Sequence, residues 1–181
     1  MPSQASLLGA AGEHYVLSQL LRRDYIAALA PQGVPNADIV ITDLVGQRLC
    51  AIQVKTRRDI GADKGWHMKP KHERLVSDWL FYCFVDLGSD FLDRTTTYVV
   101  PSNIVATALS ESHRKWLDTP GKHGQPHKES AVRRFLPDYS KIFGLEHPAY
   151  GPGWIEEYRE SWHLLGSPTL KKNVEARTQE E

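Results

Sequence analysis

The sequence predicts an α/β fold in the order helix, three strands, helix, strand, strand, helices. Three observations predict it. Leu8, Tyr15, Val16, Leu20 and Leu21 recur at helical spacing near the start. From Pro35 to Arg58, two apolar runs flank a short polar turn, the pattern of a hairpin. From Trp79 to Leu87 the chain reads WLFYCFVDL, the most strand-like run present and the expected central buried strand.

The elements follow in order. Ser6 to Arg23 reads as an amphipathic helix, with Ser3 or Ser6 as its cap. Glu13 shares the expected buried face with Val16, Leu17 and Leu20. A carboxylate there needs a partner or a metal, or it sits at the rim and reaches solvent. Gly9 and Gly12 beside it mark a close approach of helix to sheet. Asp24 to Pro31 is the first strand, and 32–36 a Gly/Pro/Asn loop. Asp38 to Thr42 and Arg48 to Thr56 are the next two strands, with 43–47 as their turn. Arg57 to Lys71 is a basic loop expected to hang Trp66, His67, Lys69 and Lys71 over the edge where it leaves the sheet. Pro70 suits the first turn of a short helix, His72 to Ser77. Thr95 to Pro101 is a further strand, and Ser102 is expected to cap a helix through about Leu109.

Beyond this the pattern weakens. Glu111 to Ser130 is loop-rich, and Gly124 and Pro126 between His123 and His127 argue against a helical zinc pair. Ala131 to Phe143 and Trp154 to Leu165 read as helical, with Trp154, Tyr158 and Trp162 as a packing stripe or a partner face. The expected organisation is an α/β core over 1–110, an extension packed on it over 111–166, and a flexible tail over 167–181.

The chain has 181 residues, 41% of them hydrophobic, enough for one ordinary domain with an appendage. No apolar run approaches the roughly 18 residues that cross a bilayer, and no basic region precedes the short N-terminal apolar run, so neither a membrane nor a secretory route is expected. Cys50 and Cys83 lie in strand-like runs and read as reduced core thiols, which fits a cytoplasmic protein. Two cysteines also exclude a thiolate-rich zinc site. Formal net charge is zero but uneven. Arg48 to Arg74 holds eight Lys/Arg against three Asp/Glu, and His113 to Arg134 six against two. Such segments suit a one-sided anionic partner such as nucleic acid, or are solvated faces.

The hairpin carries the chemistry. Alternation along a strand puts Gln53 and Lys55 on one face, with Ile52 and Val54 on the other. Pairing as a hairpin brings Asp38 level with them. Phosphodiester cleavage needs a metal to polarise the phosphate and acidify a water, a cation near the developing charge, and a surface that attracts the backbone. Asp38 with Glu13, then Lys55, then Arg57, Arg58, Lys64, His67, Lys69 and Lys71 are the candidates for those tasks. Each has a plain alternative: Asp38 as a turn residue, Lys55 as an edge charge, Gln53 as a buried amide satisfied by backbone.

Glu13 within Gly9-Ala10-Ala11-Gly12-Glu13, Asp38 after Pro35-Asn36-Ala37, and Gln53-Val54-Lys55 together resemble the PD-(D/E)XK nuclease superfamily, in particular the branch of archaeal Holliday-junction resolvases and related restriction-endonuclease-like proteins. The resemblance covers about residues 6–105. It implies a mixed sheet flanked by helices (αβββαβ) and cleavage of DNA with Mg²⁺ or Mn²⁺. Asp38, Glu13 and Gln53 then match the metal ligands, and Lys55 the lysine that orients the attacking water. Gln53 stands where the family usually has Glu or Asp, and a carboxamide lends the cation no charge. The resemblance therefore leaves two other readings open: a weak or inactive nucleic-acid-binding module on the same fold, and a dimerising protein-interaction subunit.

Overall fold

Ser3 starts the first helix, its hydroxyl accepting the Ser6 N–H at 3.1 Å. The helix, α1, spans Gln4–Leu21 and buries Gly12, Val16 and Leu20 along one face. The computed structural model describes residues 3–31, 33–44, 46–60, 65–145, 147 and 149–166. After α1 come β1 (Ile26–Leu29), β2 (Ile39–Thr42), β3 (Arg48–Arg57) and β4 (Trp66–Met68). A 3₁₀ turn, Pro70–Glu73, leads to β5 (Leu80–Asp86), β6 (Thr96–Pro101) and α2 (Ser102–Asp118). The remainder is β7 (Arg133–Phe135), α3 (Ser140–Phe143) and two 3₁₀ turns, Trp154–Tyr158 and Trp162–Leu165.

The main sheet is mixed and five-stranded, in the order β1-β2-β3-β5-β6. Only β3 and β5 run parallel; the other neighbours are antiparallel. This is the α/β architecture the element order predicted. The crossover between the parallel strands carries a 3₁₀ turn where a short helix over His72 to Ser77 was expected.

The period of two along each strand divides the core. Ile39, Ile41, Ile52, Val54, Cys83 and Val85 pack with Val16 and Leu20 of α1. Tyr82, Phe84, Tyr98 and Val100 pack on the opposite face with Val105 and Leu109 of α2. β5 is buried on both faces along most of its length, as its continuous apolar run requires. Cys50 and Cys83 are buried and not joined in a disulfide.

The second half departs from expectation. α2 runs to Asp118, past the expected end near Leu109, because Leu109 and Ser112 still face the core. Ser102 is not its cap. Its hydroxyl accepts from Ser77 N at 2.9 Å and donates to Ser77 O at 2.8 Å, tying the helix start to the segment before β5. The expected helix over 131–143 is instead a strand and one helical turn. β7 pairs antiparallel with β4, a strand inside the expected loop, with Trp66 opposite Phe135. Such three-residue strands have little local signal; they exist because each supplies the other's hydrogen bonds. Arg133 on β7 is buried and paired with Glu73 and, at 2.9 Å, with Glu129.

The expected helix from Trp154 to Leu165 is two 3₁₀ turns. Its three rings form no single stripe. Trp154 and Tyr158 pack on the α2 side of the sheet and Trp162 on the α1 side, so they do not make a common partner face. His127 stacks on Trp116 with centroids 4.1 Å apart and an interplanar angle of 11°. No described helix is long and apolar enough to cross a membrane. The expected tail, 167–181, lies outside the described residues.

Gly12 sets how closely α1 lies on the sheet. A Cβ there would fall 1.8 Å from Thr56 Oγ1 and 2.8 Å from Thr56 Cβ, so a methyl group forces helix and strand apart. Gly12→Ala should lower unfolding stability by a net of about 1–2 kcal/mol in urea titrations, the displaced packing exceeding the gain in helix propensity. An unchanged or raised midpoint would contradict this close crossing.

Candidate active site at the open end of the hairpin

β3 outlasts β2. Asp38, one residue before β2, donates its N–H to Ile52 O at 2.8 Å and accepts the Ala30 N–H at 2.8 Å, so its backbone still belongs to the ladder. Beyond it, Val54 has an N–H on the β2 side and no strand opposite. Asp38 Oδ2 accepts that N–H at 2.7 Å. The bond fixes the carboxylate level with residues 52–54, where the hairpin reading placed it.

Ile39 pairs with Ile52, and continuing the register sets Asp38 opposite Gln53. Opposite residues of an antiparallel pair share a face, so Asp38, Gln53 and Lys55 project together. Gln53 is buried, and its Oε1 has no hydrogen-bond partner among the described residues. A buried carbonyl left unpaired costs about 1–3 kcal/mol, and ligand sites are where such a cost is accepted. The plain reading of Gln53 as an amide satisfied by backbone does not hold for that oxygen.

Glu13 comes from the other side. The Gly12–Thr56 crossing delivers the residue after Gly12 to the same end of β3, half-buried. Burial raises its pKa, the Asp38 carboxylate raises it further, and His14 and Lys55 oppose the shift. Burial lowers the pKa of Lys55, and Lys71 and Lys69 add to this against Asp38 and Glu13. Glu13, Asp38 and Lys55 therefore share one electrostatic environment. Among the described residues Lys55 makes no direct ion pair. The structure thus sets Glu13, Asp38 and Lys55 within electrostatic reach of one another, with Gln53 opposite Asp38.

The donors here are two carboxylates and a carboxamide, all oxygen, which suits a hard divalent cation that keeps several waters. The unpaired Gln53 Oε1 and the repulsion between Glu13 and Asp38 both fit such an ion. Among the described residues no group of three His, Cys, Asp or Glu converges to hold a metal, so any site here depends on the carboxamide.

The expected backbone-binding residues divide. Arg57 lines the groove beside Lys55 and is also bound within the fold. Its Nε and Nη2 donate to Asp86 Oδ2 at 3.0 and 2.6 Å, and its guanidinium lies 4.2 Å over the Trp66 ring. Trp66 does not overhang the edge; it is a core residue whose Nε1 donates to Val85 O at 3.0 Å. Arg58 lines the groove beside Lys55, as does exposed His67. Lys69 is exposed, and Lys71 Nζ donates to Asn36 Oδ1 at 2.9 Å. Both lie close enough to Lys55 to depress its pKa. Lys64 lies outside the described residues.

Sequence reasoning missed the support beneath the site. Tyr82 stands opposite Gln53 across the parallel pair, and its hydroxyl meets His72 Nδ1 at 2.8 Å. Burial, then Lys55, Lys71 and Lys69, push the His72 pKa from 6.5 to about 4. The pairing of Gln53 with Tyr82 depends on the parallel register, which neither strand-like run carries by itself.

No protein-family model matches the chain, and no curated protein does. Among solved structures, a bacterial homing endonuclease, I-Ssp6803I, aligns with 99% of this chain and 99% of its own at 16% sequence identity and a TM-score of 0.49.

Buried neutral His72 makes stability depend on pH with a definite sign. Unfolded, it titrates near 6.5; folded, at about 4. Between those values the unfolded chain binds more protons. Its contribution is therefore complete above pH 6.5 and lost as pH falls towards 4. Urea unfolding should show a loss of about 2–3 kcal/mol over this window that is absent in His72→Gln. Equal pH slopes in the two proteins would contradict a neutral buried imidazole.

Proposed function

We propose that this chain is a divalent-cation-dependent nuclease that hydrolyses DNA phosphodiester bonds, of the PD-(D/E)XK type with Gln53 in the acidic position. The observation that carries it is the electrostatic coupling of Glu13, Asp38 and Lys55 at one end of β3, where Gln53 holds a buried Oε1 that no described residue satisfies. Asp38, Gln53 and Glu13 would hold Mg²⁺ or Mn²⁺. The bound ion would supply Lewis acidity towards a phosphate oxygen and acidify a water. Val54 N–H binds one oxygen of Asp38, and the other would serve the ion. Lys55, without a direct ion pair among the described residues, would offset charge that develops on the phosphate. Arg58, Lys69 and Lys71 border the site with positive charge, which draws a polyanion towards Lys55.

Gln53 favours a second reading, a DNA-binding module without cleavage, because a neutral ligand weakens cation binding. Plasmid, single-stranded and branched DNA incubated with Mg²⁺ or Mn²⁺ separates the two. Asp38→Asn keeps an acceptor for Val54 N–H but loses the charge; it and Lys55→Met should each slow cutting at least about 100-fold. Cutting that persists in both variants would remove the site from the reaction. Salt-sensitive binding with no cutting of any substrate would leave the module.

A negative charge at position 53 should strengthen cation binding. Gln53→Glu should lower the Mn²⁺ concentration giving half-maximal cleavage by about tenfold. An unchanged metal requirement would mean that residue 53 does not face the ion.

A further inference from the structure

The segment between β5 and β6 holds two large apolar side chains out in water. Phe91 is 90% exposed and Leu92 95%. The loop that carries them is closely tied. Asp93 Oδ2 accepts the Ser89 N–H at 2.7 Å, the Asp90 N–H at 2.8 Å and the Ser89 hydroxyl at 3.0 Å. Asp90 Oδ1 accepts the Leu92 N–H at 3.0 Å. Both carboxylates are thus turned onto the loop's own backbone. Gly88 has φ +73, and a Cβ there would lie 2.4 Å from Asp93 Cβ.

β3 anchors the base of the loop. Arg57 holds Asp86 Oδ2, and Asp86 Oδ1 accepts the Gly88 N–H at 2.9 Å. Arg58 Nη2 donates to Ser89 O at 2.8 Å, and its guanidinium carbon lies 5.0 Å from the Phe91 ring centroid. Phe91 therefore stands on the wall of the groove that Lys55, Arg58 and His67 also line.

We propose that Phe91 and Leu92 form a wedge that enters between two base pairs of duplex DNA lying in this groove. The choice of DNA rests on the nuclease reading of Lys55 and its neighbours. Paired apolar side chains on a fixed turn are the usual means of unstacking a base step. Arg58 beside the ring supplies positive charge where the flanking phosphates would lie. A protein partner fits less well. Two side chains at a loop tip cover at most about 400 Å², well short of the roughly 1,000 Å² of a stable interface. A protein seated there would also close the groove over Lys55.

The test uses the full chain and closed-circular plasmid, without divalent cations so that no cutting intervenes. Plasmid is relaxed by a topoisomerase that needs no metal, with and without bound protein, and the topoisomers are separated. Wild-type protein should shift the linking number. Phe91→Ala/Leu92→Ala should abolish the shift and weaken binding about tenfold, while Phe91→Trp should retain it. Both positions are exposed, so the variants keep the fold, which circular dichroism checks. Plasmid bound by wild type with no topoisomer shift overturns the wedge and leaves the nuclease reading standing. No plasmid binding also overturns the wedge, and the cleavage assays above then decide the nuclease reading separately. A change of oligomeric state in the double variant, seen by sedimentation, overturns it in favour of a self-contact.

Discussion

A single backbone N–H without a strand to bond organises this protein. β3 is ten residues long and β2 four, so β3 extends beyond its antiparallel neighbour. Val54 is the first residue whose donor on that side lacks a strand partner, and the Asp38 carboxylate takes it. An unpaired buried donor is costly enough that some acceptor must be present. The acceptor is charged, and its position follows from the ladder rather than from a flexible loop.

Two further constraints converge on the same point. Gly12 lets α1 touch β3 at Thr56, which carries Glu13 to the end of the strand. On the opposite face of the sheet, Tyr82 lies beside Gln53 and bonds His72, which burial and three nearby lysines keep uncharged. The end of β3 is therefore held between a helix crossing with no room for a methyl group and a buried pair that disfavours a further positive charge. Each clamp uses packing that the fold requires in any case. Fold and site consequently share their determinants, and damage to either crossing displaces the charges.

The legible parts were those with a strict local period. The hairpin, α1, β5 and β6 all follow from alternation or helical spacing, and alternation alone put Gln53 and Lys55 on one face. Gly12 was readable as a close approach; Gly9, read the same way, has nothing near it. What stayed hidden depends on contacts between distant residues. β4 and β7 are three residues each and exist only as a pair across more than sixty positions of sequence. Arg57 looked like a nucleic-acid contact because it follows Lys55 in a basic run. Its binding to Asp86 and stacking on Trp66 needed the sheet register and the fold of β4 to be known. The late helix over 131–143 failed for a similar reason: its apolar residues serve a strand and a turn, not one face.

The central claim is that Glu13, Asp38 and the unpaired oxygen of Gln53 form one cation site beside Lys55. A crystal soaked in Mn²⁺ and measured for anomalous scattering tests it most directly. One strong peak should appear, bounded by those three side chains, with the Lys55 ammonium alongside and not coordinated. A soaked crystal with no peak there, or with Gln53 Oε1 bonded to protein and the two acids turned apart, would contradict it.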